Sequence, residues 1–294
     1  MTRVTHRMMA DSALYGLQAR MRASSELNAR MTSGRAIARP SDDPTGTVTA
    51  LGLRQDLKAQ GQYARNADNG LGWLSAGEQA LRSGTNLLAS ARNLTLQGMN
   101  SGAMSVESRQ AIAVEVKGLR DDLLAVANST YLGRPVFGGT TASPTAFAAD
   151  GTYQGDSGTL QRRVDAATTV RVDTSGSQVF GADPASSVLT ILDRIATNVV
   201  SDPDQLSTDL AALDAAFARF TSAVADSGAR YARIERAAQG IKDASLASTS
   251  QLAQVEEIDL PRTVLELQTQ QVAYQASLAA TAKVIQPTLM DFLR

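Results

Sequence analysis

Few residues in this chain are equipped for chemistry, and their spacing argues against it. Gly155-Asp156-Ser157-Gly158 copies the tetrapeptide around the nucleophile of trypsin-like proteases. Such a serine needs a histidine base held by a carboxylate. The one histidine is His6, about 150 residues away on a segment with helical character. A Gly-Asp-Ser-Gly turn between strands explains the same letters. Asp42-Asp43 and Asp121-Asp122 offer paired carboxylates, but sequence neighbours point to different sides of a helix and do not converge on one ion. Their ordinary roles are helix caps and solvated faces. With no cysteine, disulfides, zinc ribbons, iron–sulfur clusters and thiol nucleophiles are excluded. No Gly-rich phosphate cradle is present, and the sequons at Asn93 and Asn128 are a frequent, weak pattern. We therefore expect no catalysis, no cofactor and no metal.

The remaining information lies in the elements. The chain has 294 residues with a formal net charge of −1, which does not suit a dedicated nucleic-acid binder. Aromatic residues are 4% and hydrophobic residues 43%, so the apolar volume comes from Ala, Leu, Val and Ile, as in helix-on-helix packing. The N-terminal stretch is interrupted by Arg3, His6, Arg7 and Asp11, so no cleaved signal peptide is expected there. The longest uncharged stretches, 267–282 and 135–149, are too polar to cross a bilayer.

Residues 1–133 carry helical periodicity. Leu14, Leu17, Met21 and Met31 lie on a thin seam in three-four steps, with Leu27 beside it, and the seam stops at Gly34. In the turn Pro40-Ser-Asp-Asp-Pro44, Asp43 is a candidate N-cap and Pro44 a first-turn proline. The next helix is framed on Ala64, Ala67, Leu71, Leu74, Glu78, Leu81, Thr85 and Leu88. Ser105 then reads as an N-cap with Glu107 in the first turn. From 134 to 182 short alternating runs and glycine turns replace the helical period, which predicts a small β-rich insertion. Helical character resumes at Val188, breaks at Ser201-Asp-Pro203, and continues from Leu206 to Val255 in a long three-four frame. A final thin seam holds Val264, Leu267, Tyr274, Leu278, Ile285 and Phe292.

The chain is thus symmetric about its insertion, and a chain that goes out and returns builds discontinuous domains. Three layers are expected: 1–40 with 256–294 as a terminal-helix assembly domain, 41–133 with 183–255 as a long helical bundle, and 134–182 as the β-rich insertion. Residues 1–40 hold seven Arg against Asp11 and Glu26, a net of +5, whereas 251–294 net −2. Opposite signs favour pairing of the two ends, at no more than about 1 kcal/mol per exposed pair. So thin an apolar seam buries little within its own chain. Its apolar face is either frayed in the monomer or buried against neighbouring subunits, the bland alternative being that it folds back on the central bundle. We expect the terminal helices to order on assembly.

Three stretches carry a resemblance. Leu27-Asn-Ala-Arg-Met-Thr-Ser-Gly34 with Pro40-Ser-Asp-Asp-Pro-Thr-Gly46 is similar to the N-terminal signature of the bacterial flagellin family. Glu257-Ile-Asp259, the run from Leu265 to Leu278 and Leu289-Met-Asp-Phe-Leu293 resemble its C-terminal one. In the middle, Tyr131-Leu-Gly-Arg-Pro-Val-Phe-Gly-Gly139 and Tyr153-Gln-Gly-Asp156 resemble the entry into an outer domain. The acidic pair between Pro40 and Pro44, and the ending in Met290-Asp-Phe-Leu293, favour a member at the hook–filament junction over a filament subunit.

The resemblance implies a mainly α, elongated, discontinuous, coiled-coil-like helical bundle of flagellin type, with the small β-rich domain inserted and facing outward. It implies a non-enzymatic structural role in the extracellular flagellum, after export by the flagellar secretion apparatus with a chaperone. The expected partners are copies of the chain in an axial ring or single layer, hook-associated protein 1 on the hook side and flagellin on the filament side, with neither nucleic acid nor membrane. Its assembly interface would be Leu14, Leu17, Met21, Leu27, Met31, Val264, Leu267, Tyr274, Leu278, Ile285 and Phe292, with Pro40, Asp42, Asp43 and Pro44 as the motif turn. Filament flagellin and a helical secretion-system translocator are the competing readings.

Overall fold

Helix α1 (Thr2–Ser33) ends where the sequence changes character. Gly34 takes φ +69° and donates its N–H to the Arg30 carbonyl at 2.8 Å, a left-handed cap that any side chain would strain. Helix α2 (Pro44–Met99) starts at the expected proline, and Asp43 Oδ1 accepts from the Gly46 N–H at 2.9 Å. Helix α3 (Val106–Ala127) is capped by Ser105, which accepts from the Ser108 N–H at 3.2 Å. These are the computed structural model's description of residues 2–100, 104–181, 183 and 186–285.

The expected insertion has little regular strand. Two hairpins, β1 (Thr130–Tyr131) with β2 (Arg134–Pro135) and β3 (Gln161–Arg163) with β4 (Thr169–Arg171), are the two small antiparallel sheets among the described residues. A short helix α4 (Gly176–Phe180), absent from the sequence reading, follows them. Helix α5 (Val188–Ser201) leads through a 3-10 turn (Pro203–Gln205) into α6 (Leu206–Glu256), as the break at Ser201-Asp-Pro203 predicted. Helix α7 (Leu260–Ile285) closes the described chain.

The chain divides into two compact units: Met1–Lys58 with Ser245–Arg294, and Ala59–Ala244. The second unit holds almost all of the core. On α2, Ala67, Leu74, Leu81, Leu88 and Thr95 recur every seven residues and are buried; Leu206, Leu213, Phe220, Ser227 and Ile234 do the same on α6. Sustained seven-residue spacing is the geometry of coiled-coil packing. The two helices run antiparallel, for Gly70 lies against Ile234, Gly84 against Phe220 and Gly98 against Leu206.

The second buried row of α2 departs from the expected frame. It comprises Gly70, Gly77, Gly84, Ala91 and Gly98 rather than Leu71, Glu78 and Thr85, which are half-buried. The small residues let bulky neighbours come close. A methyl placed on Gly84 would lie 2.5 Å from Phe220 Cε1. Four of the six phenylalanines gather here, with Phe180 packed against Phe137, Phe147 and Phe220 at centroid distances of 5.1, 5.1 and 4.9 Å. The few large rings are therefore concentrated where the loops of 134–182 meet α4 and α6.

Candidate functional site

Several of the residues with chemical potential have structural partners. The Asp156 carboxylate accepts from the Thr140 N–H and hydroxyl, both at 2.7 Å, and from the Gly158 N–H at 3.0 Å. These bonds to the ionised form hold the carboxyl below its ordinary range, the Thr140 hydroxyl most of all. Gly155-Asp-Ser-Gly158 is a locked turn, and the His6 side chain lies outside the described residues. Asn128 spends its amide on Ala146 and Phe147, and Thr95 of the other sequon is fully buried. Among the described residues no cluster of His, Asp and Glu is arranged to hold a metal ion.

The other candidate is the unit formed by the two ends of the chain. Here α1 packs along α7. At one end of the pair the chain leaving α1 clasps the α6–α7 junction. Ala36 donates its N–H to the Glu256 carbonyl at 2.7 Å, Ile258 returns one to Gly34 at 3.2 Å, and Arg35 bridges Glu257 in antiparallel fashion. The Arg54 guanidinium adds an ion pair to Glu256 at 2.8 Å. Being partly exposed, it is worth about 1 kcal/mol or less.

The motif turn supports this clasp. Asp42 Oδ2 accepts from the N–H groups of Ala38 (3.1 Å) and Arg39 (2.8 Å), closing the loop on itself. Asp43 instead caps α2. The two carboxylates thus face different amides, and Pro44 supplies the first helical turn without needing its own N–H. Pro40 sits exposed at the start of this turn. Gly46 belongs to the same device: a methyl there would lie 2.4 Å from Asp43 Oδ2 and 2.7 Å from Ile37 Cδ1. That requirement escaped the sequence reading, although a glycine three residues after a capping aspartate was its visible signal.

Along the helix pair, Leu17, Leu27, Met31, Val264, Leu267 and Tyr274 are half-buried. Leu14, Met21 and Leu278 are exposed, at 45%, 63% and 42%. Phe292 lies outside the described residues, as does the Ile285 side chain. The most buried residues of α7 among the described ones are Thr263 and Thr281, whose hydroxyls donate to the carbonyls of Asp259, just before the helix, and Ser277 within it. Among the described residues, Ala50 is the one fully buried apolar side chain in the unit. Meanwhile Tyr15, Leu265 and Val272 face solvent on other sides of the two helices. The opposite net charges of the two ends form no ion pair between α1 and α7 among the described residues. Gln270 Nε2 donating to the Arg20 carbonyl at 3.3 Å is a polar link between them. A groove of about 670 Å³ runs between the helices, lined by Met21, Asn28, Gln271, Tyr274 and Leu278. The groove is lined by apolar, amide, hydroxyl and phenol side chains. The arrangement leaves apolar side chains exposed on several sides of a helix pair.

Residues 4–142 match the bacterial flagellin N-terminal helical region. The flagellar hook-associated protein 3 of Escherichia coli is 25% identical over 95% of each chain. The flagellar filament 30.7 kDa core protein of Treponema maltophilum is 29% identical over 86% of each. A solved flagellar hook-associated protein-3 from Legionella pneumophila superposes with a TM-score of 0.62 at 17% identity, covering 69% of this chain and 98% of that one, a likeness of fold.

Proposed function

We propose that this chain, whose residues 4–142 match the bacterial flagellin N-terminal helical region, is a structural component of the flagellum that joins hook to filament. The reading rests on the α1–α7 pair, which leaves Leu14, Met21, Leu265, Val272 and Leu278 open to solvent in a unit with almost no core of its own. Burial against neighbours is worth about 25 cal/mol per Å² of apolar surface, so stacked copies gain what one copy cannot. We assign assembly to 1–40 with 256–294, the wall to 41–133 with 183–255, and the outward face to 134–182. The partners are further copies of the chain in one axial layer, hook-associated protein 1 below and flagellin above. A chaperone covers the terminal helices until export to the cell exterior. The protein works without catalysis.

A filament subunit is the second reading, favoured by the likeness to the Treponema maltophilum filament core protein. A membrane-inserting translocator fits less well, because among the described residues no helix is long and apolar enough to cross a membrane. The test adds purified full-length chain to hook ends bearing hook-associated protein 1, and separately to flagellin seeds. Junction proteins add a single layer to the hook and stop. Continuous growth into filaments in either mixture overturns the junction role. Met21→Ser with Leu278→Ser should abolish the layer while leaving the unfolding of Ala59–Ala244 unchanged; a normal layer from this variant removes the groove from the interface.

A further inference from the structure

One cavity takes no part in assembly as argued above. It has a volume of about 490 Å³ and lies against α6 in the core-bearing unit, beside α4 and the strand β4. Three guanidiniums line it: Arg171 from β4, and Arg219 and Arg230 from one face of α6. Two of them are balanced. Arg171 makes a forked pair to the buried Asp173 at 3.0 and 2.9 Å, and Arg230 is paired with Asp226 one turn away. Arg219 is different. Its Nε and Nη2 donate to the carbonyls of Val179 (3.3 Å) and Ser186 (3.1 Å), and among the described residues it meets no carboxylate. Burial pushes its guanidinium down from the ordinary value, with no acid to oppose the shift.

A half-buried cation without a counter-charge is costly, and the cost is relieved by an anion. The guanidinium has five N–H donors, and Nη1 keeps its pair unused among the described residues. The same cavity is lined by Thr174, Gln178 and Ser222, whose side chains donate to nothing among the described residues, and by Asp226, whose carboxylate is taken by Arg230. Planar fork geometry together with hydroxyl and amide donors suits a carboxylate. We propose that this cavity is a carboxylate-binding site centred on Arg219. The carboxylate is carried either by an acidic side chain of an adjoining polypeptide or by a small organic acid. The proposal stands on this cavity alone and does not depend on the junction role.

The test follows the arginine Nε–Hε resonances of the full-length chain during titration with succinate and, in parallel, with the acetylated, amidated Glu-Glu dipeptide at constant ionic strength. Saturable movement of the Arg219 resonance with either probe is the expected result. Succinate binding at least as tightly as the peptide identifies a site for free acids, whereas tighter peptide binding identifies an acidic segment. Arg219→Gln should weaken binding at least tenfold. As that change also removes two bonds to carbonyls, Ser222→Glu is the second variant. It places a carboxylate in the cavity from an exposed position, and should weaken binding equally with an unchanged melting temperature. No saturable shift with either probe overturns the proposal, as does undiminished affinity in folded Ser222→Glu.

Discussion

The Asn128 side chain pairs with the backbone of Phe147 as a neighbouring strand would. Its Oδ1 accepts from the Phe147 N–H at 2.8 Å and its Nδ2 donates to the Phe147 carbonyl at 2.9 Å, while the same Oδ1 also takes the Ala146 N–H at 2.9 Å. One amide at the end of α3 thereby anchors the loop that carries a central ring of the aromatic cluster. Asn128→Ala leaves those backbone groups unmet beside buried Phe147, at a cost on the order of 2 kcal/mol. Chemical denaturation should show a lower midpoint. An unchanged midpoint means that water replaces the amide and the anchor is dispensable.

Two glycines in helix interiors should respond oppositely to alanine. At Gly84 the new methyl meets Phe220 at 2.5 Å, and overpacking costs about 1–3 kcal/mol, more than the gain of about 1 kcal/mol in helix propensity. At Gly118 on α3 nothing lies within 4 Å, so the propensity gain stands alone. Thermal melts should place Gly84→Ala below and Gly118→Ala above the parent. A raised or unchanged melting temperature for Gly84→Ala contradicts the close approach of α2 and α6, and a lowered one for Gly118→Ala contradicts the open space on α3.

Leu132 occupies the tip of the β1–β2 hairpin with φ +51°, followed by Gly133 at +75°. Two positive φ values describe a turn that prefers Asn-Gly. A leucine there is strained by roughly 1 kcal/mol. Its side chain is 73% exposed, so little packing is lost on replacement. Leu132→Asn should raise stability by several tenths of a kcal/mol or more. A destabilised variant in a denaturant titration would sink this account and point to a packing role for the leucine.

Asp156 should make the turn at 139–158 sensitive to acid. Its carboxyl is held below the unfolded value of about 3.9 by the bonds from Thr140 and Gly158. A depressed folded value means stability that is complete above the unfolded pKa and is lost as the pH falls through the folded one. The stability difference between the parent and Asp156→Asn should therefore be constant from pH 7 to about 5 and narrow below pH 4. A difference independent of pH between 3 and 7 refutes the assignment.

Much of the architecture was legible in the residues themselves. Gly34, Asp43-Pro44, Ser105 and Ser201-Asp-Pro203 set helix ends through local backbone chemistry, and each boundary lies where those letters predict. Heptad rows on α2 and α6 were visible as well, because leucine recurs in them. Their partner rows were not. Gly70, Gly77 and Gly84 carry no hydrophobic signal, and their worth exists only once Ile234, Val136 and Phe220 arrive from elsewhere in the chain. The same holds for Asp209, a charged letter on α6 that reads as a solvated face and is instead buried, held by Arg194 and Asn198 of α5. The clasp of Gly34 and Ala36 to Glu256 and Ile258 joins residues more than 200 positions apart by backbone bonds, which no side-chain pattern announces. Local rules of capping and periodicity operate within a turn or two and can be read along the chain. Close approach, counter-charge and backbone pairing across the chain depend on what is brought near, and only the tertiary structure decides them.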